Sequence, residues 1–115
     1  MRVRFEELAK LEFDDARAWY RAIHPELAQS FTREVRAATQ RMSHMPLLYP
    51  LERGDVRRCV LTQFSYTLRY AVRGDLILIL SVSHQHRDPD YWVDRITSEC
   101  PSSPPKNTSK TRPTP

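Results

Sequence analysis

The chain has 115 residues, 40% hydrophobic and 28% charged, the composition of one small globular domain, and no run approaches the ~18 apolar residues of a membrane span. A net charge of +4 rests on 18 basic and 14 acidic residues; that many acids exclude indiscriminate polyanion binding, so any nucleic-acid contact depends on where the arginines fall. Cys59 lies in a strand pattern and Cys100 in a tail, which excludes a disulfide scaffold, and with no apolar N-terminal leader a cytoplasmic location is expected.

In chain order, residues 1–5 (MRVRF) alternate apolar and basic side chains as a short strand does. Residues 6–23 then turn helical. Ala9, Phe13, Ala16, Tyr20 and Ile23 recur at offsets of four and three and line one face, with Trp19 beside them. His24-Pro25 interrupts this helix, because a residue before proline avoids the α region. Pro25 suits the first turn of a second helix and Glu26 complements its dipole. Leu27, Phe31, Val35, Ala38, Met42 and Met45 continue the apolar stripe until Met45-Pro46 ends it. Two amphipathic helices with a tight connection form an antiparallel hairpin, and each stripe needs cover.

The cover follows as three β-rich runs, 56–61, 67–72 and 76–82, with Ser65-Tyr66 and Arg73-Gly74-Asp75 in connections short enough for antiparallel hairpins. The last run, LILILSV, is nearly all apolar and is expected to be the central, most buried strand. Asp88-Pro89-Asp90 then opens a short final helix, with Asp88 as N-cap and Pro89 at the first position, carrying Tyr91, Trp92 and Ile96. The order β-α-α-β-β-β-α predicts an α+β fold, a helical hairpin packed on a small, mainly antiparallel sheet. Residues 97–115 hold five of the nine prolines and no aliphatic or aromatic side chain. Such a segment cannot offset its ordering entropy, so residues 1–96 are expected to fold and the tail to be disordered.

Several residues are able to carry chemistry. Arg57 and Arg58 are strand neighbours and point to opposite faces, so one at most faces any given surface, and Arg69 on the next strand shares a face with one of them. An arginine fork suits phosphate or carboxylate, although a solvated strand face explains the same pattern. In His84-Gln85-His86-Arg87 the two imidazoles share a face of an extended chain and titrate near about 6.5, in range for acid–base work. A histidine fixing the turn into Asp88-Pro89 is the plainer explanation. His-x-His supplies two metal ligands with no clear third, so no metal is expected. Tyr91-Trp92 and Trp19-Tyr20 are better explained as packing anchors than as binding pairs. With only Gly54 and Gly74, the chain has no glycine-rich phosphate loop, and no cofactor is expected.

Taken together, these pieces resemble one family. Val56-Arg57-Arg58-Cys59-Val60-Leu61, Phe64-Ser65-Tyr66 and Leu68-Arg69-Tyr70 are similar to the "RR-x-x-L…F-P-Y-x-L-x-Y" stretch of RelE/ParE toxins from type II toxin–antitoxin systems. The segment His84 to Trp92 is similar to the "H-x-x-R-x-P-x-Y-W" ending of the ParE-like, plasmid-stabilisation branch. Ala16, Trp19-Tyr20, Pro25, Phe31, Val35 and Tyr49-Pro50 fall where that branch has "A-x-x-W-Y…P…F…V…Y-P". The resemblance spans about residues 2–96. Two connections depart from it: Pro25-Glu26-Leu27-Ala28 replaces a glycine-rich turn, and Phe64-Ser65-Tyr66 replaces "F-P-Y".

The resemblance implies a cytoplasmic, growth-inhibiting toxin and a cognate antitoxin partner. Three functions are compatible with it. A non-enzymatic toxin would bind and poison an essential target, with DNA gyrase favoured. A ribosome-dependent mRNA endonuclease would use Arg57 or Arg58 on phosphate, His84 or His86 as acid or base, and Tyr91. An inactive remnant would only bind antitoxin. The family's ribosome-dependent RNases carry an arginine near the position of Thr67, which cannot supply positive charge, and this tilts the expectation to the poison. Its target contacts would come from Arg57, Arg58, Arg69, His84, His86 and Arg87.

Overall fold

A computed structural model describes residues 1–85, 91–93 and 95, and the chain divides into two units, Met1–Gln85 and His86–Pro115. The first unit runs β1 (Arg2–Phe5), α1 (Glu7–Ile23), α2 (Pro25–His44), β2 (Leu51–Arg53), β3 (Val56–Val60), β4 (Tyr66–Arg73) and β5 (Leu76–His84). This is an α+β fold, with both helices on one face of a mixed sheet of order β1-β5-β4-β3-β2.

The helix boundaries follow from local chemistry. The Glu6 carboxylate accepts from the Leu8 N–H and caps α1, and His24 Nδ1 accepts from the Glu26 N–H at the start of α2, where Pro25 needs no donor partner. Their facing stripes bury Ala9 and Ala16 of α1 and Phe31, Val35, Ala38 and Met42 of α2. Ile23 and Trp19 depart from the expected pattern and are exposed: Ile23 is the last residue of α1, and Trp19 lies beyond the edge of the buried stripe. Met45 is likewise exposed, because it caps α2 instead of extending it.

The sheet is antiparallel except where β1 lies parallel to β5. Both glycines turn a hairpin: Gly54 (φ 57°) between β2 and β3, and Gly74 (φ 63°) between β4 and β5, a backbone region costly for other residues. The three-residue β2 is an addition to the expected strands; it is too short to show alternation. Tyr66, expected in a connection, opens β4 and is buried. β5 is interior and buried along nearly its whole length, yet the middle position belongs to β4, because β1 occupies the far side of β5.

One irregularity sets which way β5 side chains point. The ladder pairs Arg69 with Ser81 and Tyr70 with Ile79, leaving Leu80 as an extra residue, a β-bulge. Before the bulge Ile77 and Ile79 face the helices; after it Val82 does, and Ser81 and Ser83 turn to the opposite face. Beyond Phe5 no strand among the described residues pairs the β1 side of β5, and there the Val82 N–H donates to the Glu12 carboxylate of α1 at 2.9 Å. The core between helices and sheet centres on Phe31, fully buried, whose ring meets Phe13, Tyr20, Phe64 and Tyr66 at 5.3–5.8 Å.

In the second unit, the Arg95 N–H donates to the Trp92 carbonyl at 2.9 Å, closing one tight helical turn where the final helix is expected. The rest of that helix, with His86 and Arg87 before it and the tail after it, lies outside the described residues.

Candidate functional site

Because β3 alternates, Arg57 and Arg58 part company. Arg57 joins Cys59 on the helix-facing side, where its Nη1 donates to the Tyr49 carbonyl at 2.8 Å and the Leu47 carbonyl at 3.4 Å. Its guanidinium is thereby spent on pinning the segment between α2 and β2. Arg58 is exposed on the far face of the sheet and, among the described residues, makes no side-chain hydrogen bond or ion pair.

Arg69 faces Arg58 across the β3–β4 ladder, where opposed cations repel. The structure resolves this with a carboxylate from β2. Glu52 accepts from Arg69 Nε at 2.8 Å and from Nη2 at 3.3 Å, while Nη1 donates to Ser83 Oγ at 3.0 Å. The Arg69 side chain is only 9% exposed, so a two-toothed carboxylate is what allows a charge there at all. Further along the same face Arg73 pairs with Asp55 at 2.8 Å. On the β3–β4 ladder the far face thus carries Arg69 and Arg73 committed to carboxylates, with Arg58 uncommitted beside Arg69. Glu52 and Ser83 had no signal in the sequence, since they lie 17 and 14 residues from Arg69.

His84 closes β5 opposite Tyr66, with the two rings edge-on at 5.4 Å. The bulge puts it on the helix-facing side, away from Arg58 and Arg69. It shares a side with Arg57, but their partners Tyr66 and Tyr70 stand four residues apart on β4, roughly 13 Å along the strand. No pair of Arg58 or Arg69 with His84 is therefore assembled on one face. Tyr91 is half-buried beneath the Arg95 guanidinium, 4.9 Å from its ring centre. His86 and Arg87 lie outside the described residues.

A second cluster went unnoticed in the sequence. Arg41 Nε donates to the Tyr49 hydroxyl at 2.7 Å, and Cys59, a buried free thiol, lies against both. Burial pushes the Cys59 thiol above its ordinary value of 9.0, more than Tyr49 and Arg41 pull it down. Burial likewise raises Tyr49, Tyr70 and Tyr20 above 10.0. A thiol held protonated is a packing group, not a nucleophile. No group of three or more metal-ligating side chains occurs among the described residues.

Among solved structures the chain is similar to one titled as the chromosomal ParDE TA system from P. aeruginosa, at 19% sequence identity and a TM-score of 0.64, covering 73% of this chain and 95% of that one. At that identity the likeness is one of fold. No curated protein sequence matches the chain. The family model for the ParE toxin of the type II toxin–antitoxin system parDE matches residues 3–89, from β1 through the whole sheet. The chain therefore belongs to the ParE toxin family of type II toxin–antitoxin systems.

Proposed function

We propose that this chain arrests growth by binding and poisoning an essential target, DNA gyrase first among the candidates, and that a cognate antitoxin neutralises it. The family match over residues 3–89 carries the reading. The sheet lends support on the enzymatic question. RNA cleavage needs positive charge at the phosphate and proton transfer beside it. Arg57 is engaged with carbonyls, Arg69 with Glu52, and Arg58 lies across the sheet from His84. Thr67, buried on β4, contributes no charge where the family's RNases have arginine. A surface that recognises a protein target requires none of these groups to meet.

The test is biochemical. Purified protein should inhibit supercoiling by purified gyrase and leave mRNA intact on ribosomes, and its expression should halt growth unless the protein encoded next to it is co-expressed. Ribosome-dependent mRNA cleavage abolished by His84→Ala with His86→Ala, in protein that still folds, would replace this reading with the endonuclease. Unimpaired growth at normal soluble expression would leave the inactive remnant.

A further inference from the structure

Along α2 the acids and the arginines part company. Between Leu27 and Leu51 the chain carries Arg33, Arg36 and Arg41 but a single acid, Glu34. That acid is turned to the connection between β3 and β4. Its carboxylate accepts from the Thr62 N–H at 2.7 Å, the Thr62 hydroxyl at 2.9 Å and the Gln63 N–H at 3.3 Å. Arg33 and Arg36 are exposed and, among the described residues, make no side-chain hydrogen bond or ion pair. Arg41 is exposed too, and its Nε donates to the neutral Tyr49 hydroxyl at 2.7 Å, so no carboxylate among the described residues cancels its charge. At about 100° per residue the three arginines leave the helix within roughly 140° of arc and span roughly 12 Å along its axis. Gln29, Gln40 and His44 are exposed on the same side, whereas Phe31, Val35 and Met42 are buried. Glu26, the other acid of α2, lies roughly 10 Å before Arg33, at the start of the helix.

A cationic helix face of this composition selects among polyanions. A protein interface is centred on apolar or aromatic anchors, and the exposed side of α2 offers none. Single-stranded nucleic acid stacks its bases on aromatic rings, and the one Phe of α2 is buried, with no Tyr or Trp in the helix. Duplex RNA closes its deep major groove to side chains. B-form DNA, in contrast, admits a helix to a groove about 12 Å wide and presents a negative charge every ~1.7 Å of its axis. Arginines spread over roughly 12 Å of helix therefore meet several phosphates at once.

We propose that the exposed face of α2 binds the phosphate backbone of double-stranded DNA without sequence preference, through Arg33, Arg36 and Arg41, with the Gln40 amide donating to phosphate between them. The inference goes beyond the poison reading and does not depend on it, because DNA alone is the probe. The test is fluorescence anisotropy of labelled duplexes of about 20 base pairs and unrelated sequences, titrated with the full chain between about 50 and 200 mM salt. Similar affinities for all the duplexes are expected, falling steeply as salt rises. Arg33→Gln with Arg36→Gln should weaken binding roughly tenfold or more at the lower salt and flatten the slope of log K against log salt by about 1.8, the share of two phosphates. The melting temperature should not change, since neither side chain has a partner to lose. Should that double variant fail to fold, Gln40→Glu serves instead, placing a carboxylate among the arginines, and should weaken binding roughly threefold. Arg21→Gln removes the same charge from the exposed last turn of α1 and should alter binding by less than about twofold. No binding at the lower salt, binding that survives the α2 changes, or an Arg21→Gln effect as large as that of Arg33→Gln would each overturn the proposal. So would equal or tighter binding of duplex RNA or of single strands, since the face would then not be one for B-form DNA.

Discussion

The two faces of one sheet are stabilised by opposite means. Toward the helices, Tyr66, Leu68, Tyr70, Ile77, Ile79 and Val82 pack against the Phe31 cluster, and the face is held by apolar area and ring contacts. On the far face, Thr67, Arg69, Ser81 and Ser83 are buried as well, yet they are polar, and Glu52 and Ser83 hydrogen-bond the Arg69 guanidinium there. Burial alone therefore does not distinguish the faces. What distinguishes them is that the first tolerates small losses gradually, whereas the second depends on particular polar partners, and removing the carboxylate takes a buried charge from its counter-ion.

Deleting the centre of the apolar face should have the largest effect. Phe31→Ala should cost about 3–5 kcal/mol in urea unfolding, since four aromatic neighbours lose their shared partner. If the loss falls below ~1 kcal/mol, the helix-facing core is not organised around this ring. On the polar face, Glu52→Ala should cost about 3 kcal/mol by leaving Arg69 buried and unpaired by its carboxylate. Adding Arg69→Met to that variant should restore much of the loss. An equal loss in the double variant would mean that the pair contributes stability beyond mutual compensation.

Alkaline pH probes the first face more gently. The folded pKa of Cys59 is raised above 9.0 and those of Tyr20, Tyr49 and Tyr70 above 10.0. Stability is thus fully present below the unfolded pKa values and declines as pH rises through the folded ones. Unfolding free energy should be flat around neutrality as far as these groups are concerned and fall above about pH 9. Cys59→Ala should remove the earliest part of that fall, and an unchanged profile would assign it to the tyrosines alone. The smallest effect is expected at Ser81. Its buried hydroxyl has no hydrogen-bond partner among the described residues, so Ser81→Ala should be neutral or stabilising by up to about 1 kcal/mol in the same assay. A clear destabilisation would show the hydroxyl to be satisfied after all.

Much of the frame was legible from residue order. The helix stripes, the break at His24-Pro25 and the turn at Gly74 are local signals, with periodicity and backbone preference acting within a few residues. The bulge left a trace too: the apolar parity of LILILSV changes between Ile79 and Val82, and strict alternation would have aimed Ser81 at the core. Trp19 and Met45 misled because apolar character says nothing about whether cover exists.

The site was less legible. That Arg57 and Arg58 face opposite ways follows from strand geometry alone, and the sequence by itself determined it along with the α+β frame and the family. Which of the two stays available was decided only by tertiary structure. Arg57 finds carbonyls contributed by a loop eight and ten residues earlier, and Arg69 finds a carboxylate 17 residues away on a strand too short to foresee. Partner choice depends on distances between separate elements, and those distances exist only once the sheet has registered and the bulge has turned His84 toward the helices.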